Sequence, residues 1–590
     1  MTRRPLARWS LRARLALLGA GLLAAGGCSE RPRVAAPVVK AEEGGAAGTA
    51  GVGHAPVLVS VVVDQFAAWI ADERLPVLPP EGGFARLVRE GTYVREAHYD
   101  HGATDTAPGH AAIYTGAAPR QSGIYANEIV TAAGKRVGVL RDEATRLVGL
   151  AGPLATVGSS AVRLQAETLA DKLRASAPSA TIVSLSLKDR GAILGGGRHP
   201  DAALWFDPGA GSFVTSTAFA QKLPAWAGRH AKPASLAGGE AAIWTPLDEA
   251  WVKAHALTAD PQAGEGDWLG FGVAFPHKLS ASTSPASVYR ATPFGDDDLF
   301  ALALDALDAP RAPDQPMLLA LSLSSNDFVG HIFGPDSWEA WDELARLDRA
   351  LGRFLSELDR RLGPAGYGFL LTGDHGSTPL PEVAAGGRRA CGAADHWQRP
   401  CAGLRLSADG LAEELAQAAT RALGPGTWVL NVADPFVVLS DAARALPPLR
   451  RAVLDEALRG ALGRHSRAIG LLAVDELRGP CPPFSDESIL ALLCRSVPAA
   501  GAAGPEGGGD YYIVFEPGGF FEAYTPGRSS NHGSPYLYDR AVPIFARAPG
   551  RVRAGARVGG VLPVATFVHT AAALLGIAPP ASARVAPSLA

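Results

Sequence analysis

Apolar residues along this chain fall into two patterns, and each predicts a different element. Short unbroken runs, Val57 to Val63 (VLVSVVV), Met317 to Leu323 (MLLALSL), Gly368 to Leu371 (GFLL) and Ala541 to Phe545 (AVPIF), lack the alternation of a half-exposed strand. Runs of this length, apolar on both faces, read as strands of a parallel sheet covered on both sides. Thr181 to Leu187 is a further strand-like run. From Ser337 to Leu362, by contrast, Trp341, Leu344, Leu347, Leu351, Phe354, Leu358 and Leu362 recur every three or four residues until Gly363-Pro364 stops them. That period belongs to an amphipathic helix packed on a sheet. The alternation predicts an α/β fold with a mostly parallel central sheet and helices on both faces. Residues 56–590 are expected to form one large domain. Cap-like insertions are expected at about 195–300, where Trp205, Phe206, Trp226, Trp244, Trp251 and Trp268 cluster, and at about 440–525, which carries the Gly-rich GAAGPEGGGD. Core packing is the expected role of most of these aromatics.

The polar residues at the ends of the runs change the picture. Asp64 follows the first run, Asp327 and His331 the second, and Asp374 and His375 the third, while His532 precedes the fourth. In open α/β sheets, ligands gather at the carboxyl ends of strands, so these turns are expected to converge on one crevice. Singly, such an Asp is commonly a helix N-cap and such a His a satisfied core residue. Together they supply two sets of imidazole and carboxylate donors suited to two zinc ions. Asp327 and His331, one helical turn apart, join His532 in one set; Asp64, Asp374 and His375 form the other. Two ions about 4 Å apart can clamp the attacking and leaving oxygens of a phosphoryl transfer.

A second constellation is Thr106-Ala-Pro-Gly-His110. Thr106 reads as a helix N-cap with Pro108 early in the helix, where free N–H groups favour an anion. An ordinary Thr cap is the plain alternative. Lys188-Asp-Arg190, in the turn after Thr181 to Leu187, presents a point charge and a fork of donors that suit a dianionic phosphate. An exposed basic turn is the commoner fate of such a pair.

With VVVDQF, TAPGHAAIYTG, SLKDRGAILGGG, ALWFD, FVTST, SNDFVGHIFGP, LLTGDHGS and NHGSPYLYD, the chain resembles the alkaline phosphatase superfamily. Within it, the likeness is to the Thr-nucleophile, PafA-like phosphate monoesterases, which are related to nucleotide pyrophosphatase/phosphodiesterases. The motifs run from about residue 56 to 550. The resemblance implies Thr106 as the phosphorylated nucleophile, and Asn127, Lys188 and Arg190 as contacts to the phosphoryl oxygens. It also implies two Zn2+ ions, the Asp64-Asp374-His375 ion activating Thr106 and the other holding the leaving oxygen. Ser122 and Gly373 depart from residues frequent in relatives, at positions that are neither ligands nor phosphate contacts.

Among the superfamily's activities, the Lys188/Arg190 pair argues for monoesters, whose three free phosphoryl oxygens can meet both cations; diesterases generally lack the pair. A phosphodiesterase remains the alternative. The Thr106 motif lacks the Cys or Ser and the Arg that sulfatases need. An inactive lipid-anchored binding protein would show a missing ligand or nucleophile, and none is missing.

Composition adds compartment and partners. The chain has 590 residues, 19% of them charged, and a net charge of −3, with no Lys/Arg stripe interleaved with aromatics, so nothing points to nucleic acid. Residues 1–28 combine an Arg-rich start, the short apolar stretch Leu15 to Ala25 and Gly26-Gly27-Cys28. They read as an export signal of lipoprotein type, with Cys28 as lipidation site and only membrane attachment, and residues 29–55 as a flexible tether. A periplasmic or cell-envelope location is expected. Of the three pairings open to Cys391, Cys401, Cys481 and Cys494, the short separations favour Cys391–Cys401 and Cys481–Cys494.

Overall fold

The computed structural model of the chain describes residues 56–590 except 239–241, 313, 388–389, 466 and 500–507. The expected signal, Cys28 and the tether lie outside these residues.

Twelve strands form one sheet: β1 (Val57–Val63), β2 (Thr92–His98), β3 (Arg141–Gly149), β4 (Gly152–Ser159), β5 (Thr181–Ser186), β6 (Ala202–Asp207), β7 (Ser212–Ser216), β8 (Met317–Leu323), β9 (Gly368–Thr372), β10 (Ala541–Arg547), β11 (Ala556–Val558) and β12 (Leu562–Pro563). Their order is β11-β2-β10-β9-β1-β8-β5-β6-β7-β3-β4, with β12 paired to β2. The centre, β9-β1-β8-β5-β6, is parallel, as expected from runs apolar on both faces. The flanks are largely antiparallel: β10 runs against β9 and β2, and the β6-β7-β3-β4 side is built of antiparallel pairs. The sheet is therefore mixed, with its parallel strands confined to the middle, where crossover helices cover both faces.

β1 shows why its run has no alternation. Val57, Val59, Val61 and Val63 face one apolar cluster, and Leu58 and Val62 face another. The first cluster takes in the helix Trp338–Leu362, capped by the Ser337 hydroxyl, which accepts from the Ala340 N–H at 3.0 Å. The second takes in the helix Thr566–Leu575. Each fully buried Val of this strand contributes about 1.5–3 kcal/mol by leaving water.

A separate four-stranded antiparallel sheet (Val429–Ala433, Phe436–Leu439, Tyr511–Phe515, Ala468–Ala473) packs with the helices Ala408–Leu423 and Pro448–Leu462 around its own core. The stretch expected at 440–525 lies largely within this layer, whose helices start earlier. In the stretch expected at 195–300, β6 and β7 join the main sheet, while the described residues of 225–238 and 242–290 form short helices, turns and one antiparallel pair, Ile243–Trp244 with His277–Lys278. Trp205 and Trp244 are buried, whereas Trp226, Trp251 and Trp268 are partly exposed. Both expected disulfides, Cys391–Cys401 and Cys481–Cys494, are formed. Among the described residues no helix is long and apolar enough to cross a membrane.

Candidate metal centre and active site

Register brings the site together. Val63 of β1 pairs with Leu323 of β8, Val62 with Thr372 of β9, and Ser322 with Ser186 of β5. The four carboxyl ends therefore lie level, and the next residues of each strand (Asp64, Ser324 to Asp327, Gly373 to His375, Leu187 and Lys188) emerge at one edge of the sheet. Asp327 and His331 share one face of helix α3 (Ser325–Phe333), and His532 returns to the same edge just ahead of β10.

Two groups of three donors meet here, Asp327, His331 and His532, and Asp64, Asp327 and His375; within each, the donor atoms lie within 4.8 Å of one another. Asp327 thus stands in both, with Oδ1 3.2 Å from His331 Nε2 and 3.6 Å from His532 Nε2. Asp374 borders the second group, its Oδ2 3.5 Å from His375 Nε2 and 3.1 Å from His110 Nδ1. All six side chains are buried.

The donor chemistry fits metal ions. Each histidine has Nδ1 against a backbone carbonyl: His331 on Ser530 at 3.0 Å, His375 on Gly376 at 3.0 Å and His532 on Thr104 at 2.9 Å. An Nδ1–H donated to a carbonyl leaves the Nε2 lone pair as the free ligand, the arrangement seen behind metal-bound imidazoles. The Nε2 atoms of His331 and His532 face each other at 3.2 Å, so a proton or a metal ion has to be shared between them. Asp64 Oδ1 and Asp374 Oδ2 accept no hydrogen bond among the described residues although buried. A buried carboxylate without partners is costly, so this cluster calls for positive charge. The Lys188 ammonium supplies one such charge, 2.6 Å from Asp64 Oδ2 and 2.5 Å from Asp327 Oδ2. Burial opposes its ionisation, but Asp327 and Asp64 outweigh that and hold it above the usual lysine range.

Thr106 opens helix α1 (Thr106–Thr115). Asp105 occupies the N-cap, correcting the expectation that Thr106 would cap: Thr106 takes the first helical position, and its hydroxyl is free to face the cluster. Its Oγ1 lies 3.2 Å from Lys188 Nζ and 3.5 Å from His375 Nε2. Gly109 lets this helix approach, since a Cβ there would sit 2.2 Å from the Asp374 carbonyl oxygen. Asn127 Oδ1 accepts from the Ala107 N–H at 2.9 Å, placing its amide beside the helix N-terminus. Lys188 and Arg190 sit not in a free turn but at the N-cap and first turn of helix α2 (Asp189–Gly196). Arg190 has its nearest acid, Asp189, at 4.0 Å, and its Nε has no partner among the described residues.

Several positioning residues escaped the sequence reading. Gln65, at φ +66°, donates from its backbone to Asp374 Oδ1 and from Nε2 to Asp327 Oδ1, both at 3.0 Å, and so ties the two carboxylates. The only signal for it was its place after Asp64. His110 links the Thr106 carbonyl at 2.9 Å to Ser322 at 2.8 Å. Tyr524, at φ +56°, sets its ring 5.1 Å from His331, with Trp268 at 5.0 Å. Its phenol is pushed up by burial and by the Asp327 charge. Nothing in the sequence near Tyr524 marks it.

A buried set of carboxylates and imidazoles beside a helix-borne hydroxyl and a lysine has the donors to hold metal ions next to that hydroxyl. The profile of the type I phosphodiesterase / nucleotide pyrophosphatase family matches residues 58–389, more than half of the chain, and the chain belongs to that family. Alkaline phosphatase PafA of Elizabethkingia meningoseptica is 33% identical over 348 residues, which are 56% of this chain and 62% of that relative. The match thus spans about three fifths of that relative's length. Alkaline phosphatase PhoK of Sphingomonas sp is 27% identical over 506 residues, 83% of each chain. The crystal structure of wild-type alkaline phosphatase PafA superimposes with a TM-score of 0.77 and 25% identity, covering 92% of this chain and 99% of that one. The fold is accordingly that of PafA.

Proposed function

We propose that the protein is a metal-dependent phosphatase that hydrolyses phosphate monoesters through a phosphothreonine at Thr106. The observation that carries this reading is the Thr106 hydroxyl, which faces Lys188 and His375 inside a cluster of donors for two ions. Asp327, His331 and His532 would hold one zinc ion, and Asp64, Asp374 and His375 the other, with Asp327 close enough to influence both. Zinc, when bound, supplies Lewis acidity to the attacking and leaving oxygens.

The chain's own residues do the rest. The Lys188 ammonium and the N-terminus of α1 favour loss of the proton from Thr106 Oγ1. Oγ1 then bonds to phosphorus as the bond to the alcohol oxygen breaks, and the leaving oxygen takes up a proton from water that balances the one Thr106 gave to solvent. Water attacks the phosphothreonine in a second step, releasing phosphate and restoring the hydroxyl. Lys188, Arg190 and the Asn127 amide would hold the non-bridging oxygens.

The two named alkaline phosphatases among the relatives support the monoester reading, and the family's name favours a diesterase as the second reading. Lys188 and Arg190 separate them: a diester, with two free oxygens and one charge, would meet these cations with less negative charge than a monoester dianion. The two disulfides support an oxidising compartment, in keeping with export to the periplasm or cell envelope and lipidation at Cys28. The test is the ratio of kcat/KM for an aryl phosphate to that for the matching aryl methyl phosphate, with the zinc-loaded chain. A large preference for the monoester supports the reading. A preference for the diester assigns the protein to the phosphodiesterases.

A further inference from the structure

A third group of acids converges away from the proposed active site: Asp260, Glu265 and Glu339, with donor oxygens within 4.8 Å of one another. Glu265 and Glu339 are 5% and 0% exposed. Glu265 Oε1 and Oε2, Glu339 Oε2 and Asp260 Oδ1 accept no hydrogen bond among the described residues. Beside Glu265 lies an uncharged side chain in the same condition. Gln262, 8% exposed, donates Nε2 to the Phe333 carbonyl at 2.7 Å, brings its N–H groups towards the Glu265 carboxylate and leaves Oε1 without a partner among the described residues.

Among the described residues, no basic side chain ion-pairs with these acids apart from His277, whose Nε2 lies 2.8 Å from Glu339 Oε1. Among the described residues, Asp260 Oδ2 takes only the Phe275 N–H, at 3.1 Å. Burial, with the neighbouring Glu339 charge, pushes the Glu265 carboxyl up to about 10, so the anion is out of place there without a cation.

We propose that Asp260, Glu265, Glu339 and Gln262 form a binding site for a structural calcium ion. The donors on offer are all oxygens, as a hard cation requires, and Glu265 has both carboxylate oxygens available for the bidentate grip that calcium accepts and magnesium's strict octahedron disfavours. Zinc would be better served by nitrogen or sulfur, and the one nearby imbalance of that kind, His277, is engaged with Glu339.

The placement gives such an ion a role. Glu339 stands in the first turn of the helix Trp338–Leu362. Next to Glu265, the Gly266 N–H donates to the Ile332 carbonyl of α3, the helix that carries Asp327 and His331, at 2.8 Å. Gly264 accepts from the Ser529 N–H at 2.8 Å, and Ser530, its neighbour, donates to the His331 carbonyl at 2.8 Å. A calcium ion here pins the 256–280 segment, with Trp268, to the back of the metal-bearing helix.

The test uses the full chain, stripped of metal and reloaded with zinc so that the zinc sites are filled. Terbium should then give tryptophan-sensitised luminescence that calcium displaces, and the Tm should rise with the logarithm of calcium concentration. Glu265→Gln should abolish both responses while zinc content stays as in the wild type. The proposal is overturned if calcium leaves the wild-type Tm unchanged and no terbium signal appears, with Glu265→Gln more stable than wild type. That result means protons satisfy the carboxylates. Should Glu265→Gln fail to fold, Asp260→Asn, at the half-buried edge, must weaken calcium binding at least about tenfold; unchanged affinity overturns the site.

Discussion

Lys188→Met keeps the length of the side chain and removes its charge, which isolates what the ammonium does for the substrate. Lys188 is 4% exposed and its Nζ lies 3.2 Å from Thr106 Oγ1, so the oxygens of a phosphoryl group on Thr106 come within about 4 Å of it. At that distance, with an effective dielectric constant of about 20, one unit charge interacts with another by about 4 kcal/mol. A monoester dianion carries one more negative charge than a diester monoanion. The variant should therefore lose about 4 kcal/mol more on the monoester than on the diester, or about 10³-fold in kcat/KM. The assay compares an aryl phosphate with its aryl methyl phosphate in zinc-loaded wild type and variant at one pH. Equal losses on the two substrates would refute the reasoning, because the ammonium would then act on the fold or the carboxylates and not on substrate charge. In metal-free protein the same change strands Asp64 and Asp327, and breaking a buried pair costs about 3–5 kcal/mol. The metal-free variant should therefore melt well below metal-free wild type.

Asp348, 1% exposed, accepts from the Phe84 N–H at 2.8 Å, and burial above all raises its pKa to about 6. Because the folded state holds this proton more tightly than the unfolded chain does, the charged carboxylate lowers stability as pH rises from about 4 to 6, and the loss is complete above that window. Asp348→Asn should gain about 1–3 kcal/mol at pH 8 and none at pH 4 in urea denaturation; the same gain at both would contradict it. A Cβ on Gly373 would meet the Phe66 carbonyl oxygen at 2.5 Å, so Gly373→Ala should cost about 1–3 kcal/mol and displace Asp374, seen as weaker zinc retention against a chelator; unaltered stability and retention would count against the contact. The disulfides join residues 10 and 13 apart, and loop closure of that size is worth about 3 kcal/mol each. Reduction, or the Cys481→Ser, Cys494→Ser double variant, should lower the denaturation midpoint accordingly, and an unchanged midpoint would argue against a stabilising role.

The central strands were legible because both their faces are buried: a run such as VLVSVVV has no polar position to confuse its reading. The donors were legible for a related reason, since polar residues directly after such runs have no core role that a sheet edge would not also serve. Strand direction was not legible. AVPIF looks the same in a parallel or an antiparallel neighbour, and only the return of the chain through His532 makes β10 antiparallel. Nor does the sequence distinguish Thr106 as first helical residue from Thr106 as cap, because Asp105 and Thr106 are both good caps. Gln65, Tyr524 and the Asp260-Glu265-Glu339 group act through contacts far apart in sequence, and no local spacing announces them.

The most direct test of the central claim is to mix the zinc-loaded protein with an aryl phosphate at acidic pH, quench it in acid and map the peptides by mass spectrometry. The account predicts one phosphoryl group on Thr106, absent in Thr106→Ala, which should also lose steady-state turnover while keeping its fold and zinc content. Full turnover in Thr106→Ala, or a phosphoryl group on another residue, would contradict it.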